Sequence, residues 1–196
     1  MKNLSEYISE GLGRRGFSVN GIISDRLLVF DLDDTLIRSK ANVVVSRGGR
    51  KILLTPEDYN TYKWQEGDIV DYSQFRSDEI LDSADLTKYW RTLEREYKKG
   101  THICILTARG DQNMVWRFFK RKGIEIKNEL CIAVEDPKYG FTGSVAHKKQ
   151  EAIESLVNLG YRTFVFFDDS QENLDHAKSL EKDFYDIGVK IKTVKA

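Results

Sequence analysis

Four short stretches of the 196-residue chain carry residue types able to do chemistry together: Asp31-Leu-Asp33-Asp34-Thr35, Thr107-Ala-Arg109, Lys148-Lys149 and Asp168-Asp169-Ser170. Carboxylates converging on one edge repel unless a cation sits among them. Oxygen donors without cysteine or a histidine cluster favour Mg²⁺ over zinc. Such an ion would neutralise part of a phosphate dianion. Of two carboxylates as close in sequence as Asp31 and Asp33, one can attack phosphorus while the other protonates the leaving alcohol and then activates water. A threonine hydroxyl, a lysine ammonium and backbone N–H groups would bind the equatorial oxygens. The residues leave two choices open. Lys148 and Lys149 compete for the phosphate, and Arg109 either binds substrate or pairs with a surface carboxylate.

These stretches meet only if the elements before them end at a common edge. Five apolar runs, at 27–31, 102–106, 129–134, 163–167 and 189–194, have the β-branched and aromatic content of strands. The first four are near-continuously apolar, as in strands buried on both faces, and the fifth alternates like an edge strand. Helical spacing covers 86–99, 111–122, 145–159 and 172–182, the second and third stopping at Gly123 and Gly160. Alternating strands and helices predict an α/β three-layer sandwich with a central, mainly parallel sheet, and ligands bind beyond the carboxyl ends of such strands.

About fifty residues separate the first strand from the first helix, far beyond the usual ~2–6 of a βα loop. Val43-Val44-Val45, Gly48-Gly49 and 51–54 predict a β-hairpin there. The expected organisation is an N-terminal arm at 1–21 and a catalytic domain at 22–196, with a small cap inserted at about 38–85.

In this order, Asp-Leu-Asp-Asp-Thr, Leu-Thr-Ala-Arg, a helix-borne lysine and Phe-Phe-Asp-Asp resemble the four motifs of the haloacid dehalogenase-like (HAD) superfamily, over about residues 27–177. The resemblance implies a Rossmannoid fold and a Mg²⁺-dependent phosphatase working through an aspartyl-phosphate. Asp31 corresponds to the nucleophile, Asp33 to the general acid/base, Thr35 to the residue that steadies the loop and Thr107 to the phosphate-binding hydroxyl. Lys149, four residues before the helix-core Ile153, fits the motif lysine better than Lys148. Asp168 and Asp169 correspond to metal ligands, joined by Asp31 and the Asp33 carbonyl. An aspartate at position 33 implies phosphate transfer rather than dehalogenation.

The Leu-Thr-Ala-Arg run, the Phe-Asp-Asp-Ser ending and the modest insertion look most like the phosphatase half of polynucleotide kinase/phosphatases. No GxxxxGK[ST] occurs in these residues, so no kinase half is expected among them. The implied substrate is a nucleotide or a nucleic-acid 3′ end. The alternatives are a sugar or other small-metabolite phosphate, or a HAD fold kept as a non-catalytic binding module. A receiver-like signalling domain is disfavoured because Asp31 and Asp33 share one strand end.

Lysine plus arginine and aspartate plus glutamate balance at 31 each, so net charge points to neither nucleic acid nor membrane. No apolar run approaches the ~18 residues of a membrane span and no signal peptide is evident; a cytoplasmic protein is expected, its oligomeric state open. Cys104 and Cys131 read as buried free thiols. Asp34 suits a turn, Ser170 and Asn173 a helix cap, and Asp175 a solvated helix face. His102 and His176 read as structural or surface groups, while His147 could face the site. Arg14-Arg15 reads as a flexible arm. Tyr62, Trp64 and Tyr72 either stack on bases or form the insertion's own small core.

Overall fold

The computed structural model describes residues 25–196, apart from the side chains of Glu57 and Asn60. Ahead of them it describes the two-residue strands Ser18–Val19 and Ile22–Ile23, which pair antiparallel. The Arg14-Arg15 segment lies outside the described residues. The chain divides into one unit of Met1–Arg38 with Leu86–Ala196 and another of Ser39–Asp85.

In chain order, β1 (Arg26–Phe30) belongs to the first unit. The second unit holds β2 (Val43–Arg47), β3 (Arg50–Leu54), α1 (Pro56–Asn60), β4 (Ile69–Asp71) and α2 (Asp78–Asp82). The first unit resumes with α3 (Lys88–Lys98), β5 (Ile103–Thr107), α4 (Gln112–Arg121) and β6 (Cys131–Ala133). It ends with α5 (Val145–Asn158), β7 (Thr163–Asp168), α6 (Gln171–Asp183) and β8 (Lys190–Lys195).

The central sheet runs β6-β5-β1-β7-β8, every pair parallel. Helices flank it in a Rossmann-like sandwich. The near-continuous apolar runs became its interior: Leu27 to Phe30 and all of β5 are buried. Aromatic rings lock α3 to α4, with Trp90 stacked on Phe119 at 5.5 Å and edge-on to Phe118 at 5.8 Å. Side-chain caps from Thr87, Asp111, Ser144 and Ser170 begin α3, α4, α5 and α6 and satisfy otherwise unpaired N–H groups. The expected helix at 86–99 starts later because Thr87 takes the cap position. The expected strand at 129–134 shrinks because Asn128–Leu130 forms a 3₁₀ turn.

Strand β8 lies at the sheet edge and alternates as its sequence predicts, with Ile191 buried between exposed Lys190 and Lys192. The outward backbone of Ile191 is covered: its N–H donates to Glu181 and its carbonyl accepts from Lys178, both at 2.6 Å. An edge closed by charged side chains resists pairing with another strand.

The Ser39–Asp85 unit is a three-stranded antiparallel sheet in the order β3-β2-β4. Gly48 and Gly49 sit at φ 54° and 79°, the left-handed values a two-residue hairpin turn demands. Ala41, Val43, Val44, Val45 and Leu81 are its buried apolar residues. Tyr59 meets Trp64 and Tyr72 edge-on at 5.7 and 5.8 Å, and Tyr62 meets Trp64 at 5.9 Å. These rings do the packing expected of a small core, yet Trp64 and Tyr72 stay exposed.

Candidate active site

The strand order reverses direction between β1 and β7: from β1 the chain builds outward through β5 and β6, and from β7 through β8. Crevices in open parallel sheets form at such a reversal, beyond the carboxyl ends. Asp31 follows β1 directly, and its N–H donates to the Phe167 carbonyl at 2.9 Å. Asp168 is the last residue of β7. Adjacent parallel strands therefore bring these two aspartates together.

The loop after β1 turns sharply on buried Leu32, Leu36 and Ile37. Leu36 and Ile37 N–H both donate to the Leu32 carbonyl, at 2.9 and 3.0 Å. Asp34 adopts a left-handed φ of 59° and donates its N–H to Ile37 at 2.7 Å, the turn role its type favours. Thr35 is buried, but its hydroxyl has no hydrogen-bond partner among the described residues. Its carbonyl does the tying instead, accepting from the Thr87 hydroxyl.

The two lysines part company. Lys149 is buried, with Nζ 2.7 Å from Asp31 Oδ1 and 2.7 Å from Asp168 Oδ2. Lys148 turns away to Glu135, meeting both carboxylate oxygens at 2.8 Å. Asp168 is held further by the Ser170 N–H at 2.8 Å and the Asn173 side-chain amide at 2.9 Å, both on Oδ1. Asn173, weighed in the sequence only as a cap, thus orients a site carboxylate. Its signal is the spacing, an amide within the first turn of a helix that begins just past a strand-end acid.

Asp31, Asp168 and Asp169 each offer an oxygen within 4.8 Å of the others. Burial pushes the Asp31 carboxyl up to about 8, with Lys149 pulling it down and Asp168 pushing it up. Burial and then the Asp168 charge raise Asp169 as well. Burial opposes the Lys149 charge, but Asp31 and Asp168 outweigh it and raise its pKa. Carboxylates outnumber the ammonium here, and the donors are all hard oxygens. That chemistry fits a divalent cation such as Mg²⁺.

Asp33 stands apart from this group, its carboxylate held by Arg109: Nε lies 2.9 Å from Oδ2 and Nη2 lies 2.8 Å from Oδ1. Thr107 is buried at the end of β5, its hydroxyl accepting the Arg109 N–H at 3.3 Å. His147 is exposed and lies 3.4 Å from Glu151 rather than among the acids. His102 bonds Tyr161 at 3.1 Å and His176 bonds Gln150 at 3.0 Å. Both cysteines are free and buried, and burial pushes their thiols up, so neither is an activated nucleophile.

Among the described residues no helix is long and apolar enough to cross a membrane. No protein-family model matches the chain, and no curated protein and no solved structure matches it.

Proposed function

We propose that this chain is a HAD-type, Mg²⁺-dependent phosphatase that hydrolyses phosphate monoesters through an aspartyl-phosphate on Asp31. The observation that carries the reading is the joint contact of the Lys149 ammonium with Asp31 and Asp168 at the point where the strand order reverses. A nucleophilic carboxylate beside a buried cation is equipped to meet a phosphate dianion.

In the first half-reaction an Asp31 oxygen bonds phosphorus, the ester P–O bond breaks, and Asp33 gives a proton to the leaving alkoxide. In the second, a water oxygen bonds phosphorus while its proton passes to Asp33. The P–O bond to Asp31 then breaks, releasing inorganic phosphate. Lys149 and the Thr107 hydroxyl bind equatorial oxygens. A divalent cation held by Asp31, Asp168, Asp169 and the Asp33 carbonyl would neutralise part of the phosphate charge. On this reading the Ser39–Asp85 unit is a small cap. A nucleotide or nucleic-acid 3′-phosphate, the substrate the resemblance implies, is the first to try.

The test is hydrolysis of p-nitrophenyl phosphate by wild type and Asp31→Asn, with Mg²⁺ and with chelator. Turnover that needs both Asp31 and the metal supports the reading. Turnover that survives Asp31→Asn removes Asp31 as nucleophile.

A further inference from the structure

Arg109 is almost wholly buried, and the use it makes of its guanidinium is unexpected for a phosphate ligand. Two of its nitrogens fork onto the two oxygens of Asp33, at 2.9 and 2.8 Å. Planar, parallel bonds of this kind fix a carboxylate in orientation as well as position. The backbone beneath is fixed too, because the Arg109 N–H donates to the Thr107 hydroxyl at 3.3 Å. Strands β1 and β5 are paired neighbours. A turn at the end of one therefore sets the direction of a side chain from the loop after the other.

We propose that Arg109 is a positioning residue, acting through Asp33 on hydrolysis of the phosphoaspartate, and not a phosphate-binding residue. This inference rests on the phosphatase reading above. A carboxylate has about four lone-pair sites. The fork occupies two and leaves the others, in a fixed direction, to accept the proton of the attacking water. As that proton moves to Asp33, the water oxygen bonds phosphorus and the P–O bond to Asp31 breaks, its electron pair returning to Asp31. Without the fork, Asp33 rotates about its side-chain bonds and the water loses its acceptor.

An aryl phosphate with a good leaving group separates the two half-reactions. Its aryloxide leaving group needs no proton, so kcat/KM reports attack by Asp31, and slow hydrolysis of the intermediate shows in kcat. For Arg109→Lys, which keeps the charge but not the fork, kcat falls about tenfold or more, a part of the roughly hundredfold or larger contribution of a positioned general base. Meanwhile kcat/KM changes little, and rapid mixing shows a burst of about one aryl alcohol per site. Asp33→Asn gives the same pattern, and the double variant is no worse than Asp33→Asn alone.

A rise in KM with a matching fall in kcat/KM overturns the proposal, since it marks Arg109 as a phosphate ligand. Multiplying losses in the double variant also overturn it. If Arg109→Lys melts early, Arg109→Gln, which retains a donor to Asp33, is read in its place. Absence of Asp31-dependent turnover in wild type is a different result: it removes the phosphatase reading itself.

Discussion

The Lys149 ammonium lies 2.7 Å from an oxygen of Asp31 and 2.7 Å from an oxygen of Asp168, and all three side chains are buried. It bridges two neighbouring strand ends from a helix that precedes one of them. Removing the cation of a buried ion cluster leaves a charged partner unpaired, which costs about 3–5 kcal/mol. Lys149→Met is therefore expected to lower the melting temperature sharply and to abolish turnover. Added Mg²⁺ should raise the variant's melting temperature more than that of wild type. A thermal melt of both proteins with and without the ion checks this.

Lys148→Ala provides the contrast. Its pair with Glu135 is partly exposed, and such pairs contribute about 0–1 kcal/mol. Stability and kcat are expected to stay close to wild type. A large loss of kcat/KM with intact folding would move the phosphate-binding role from Lys149 to Lys148.

Burial raises the Asp31 carboxyl from 3.8 to about 8. Between those values the folded protein holds a proton that the unfolded chain has released, so stability falls as pH rises across the window and levels off above it. Chelated wild type is expected to lose melting temperature across this range relative to Asp31→Asn, which has no proton to release. Divalent cation should recover the loss at the alkaline end. A difference between the two proteins that stays flat with pH would contradict this.

Asn173→Ala withdraws the amide from Asp168 while Ser170 keeps its own bond. A lost bond to a buried charged group costs about 1–3 kcal/mol, and loss of an outer partner weakens metal affinity about 10–100-fold. The expected result is a higher Mg²⁺ requirement for activity, read from a metal titration, with KM for the ester little changed.

Trp64 is 56% exposed although its ring meets Tyr59 and Tyr62. Stacking on a base contributes about 1–3 kcal/mol. Trp64→Ala is expected to weaken binding of a single-stranded oligonucleotide about tenfold, read by fluorescence titration, and to spare p-nitrophenyl phosphate turnover. Unchanged binding would leave the indole a packing role alone.

The chain's own pattern determined the layered α/β architecture. Continuous apolar runs must be buried on both faces, helical periodicity must cover them, and parallel strands must end at a common edge. That logic made Asp31, Asp33, Thr107 and Asp168 legible as strand-end residues, and Gly48-Gly49 legible as a hairpin turn. Which neighbour each side chain meets was decided by tertiary structure. Successive helix residues point about 100° apart, so only the roll of α5 on the sheet separates Lys149, facing the acids, from Lys148, facing Glu135. The fork of Arg109 on Asp33 joins positions 76 residues apart and depends on the pairing of β1 with β5. The role of Asn173 depends on where the first turn of α6 starts relative to Asp168. Local sequence sets periodicity and turn chemistry, whereas contacts between strand ends depend on strand order and helix rotation, which the whole core fixes at once.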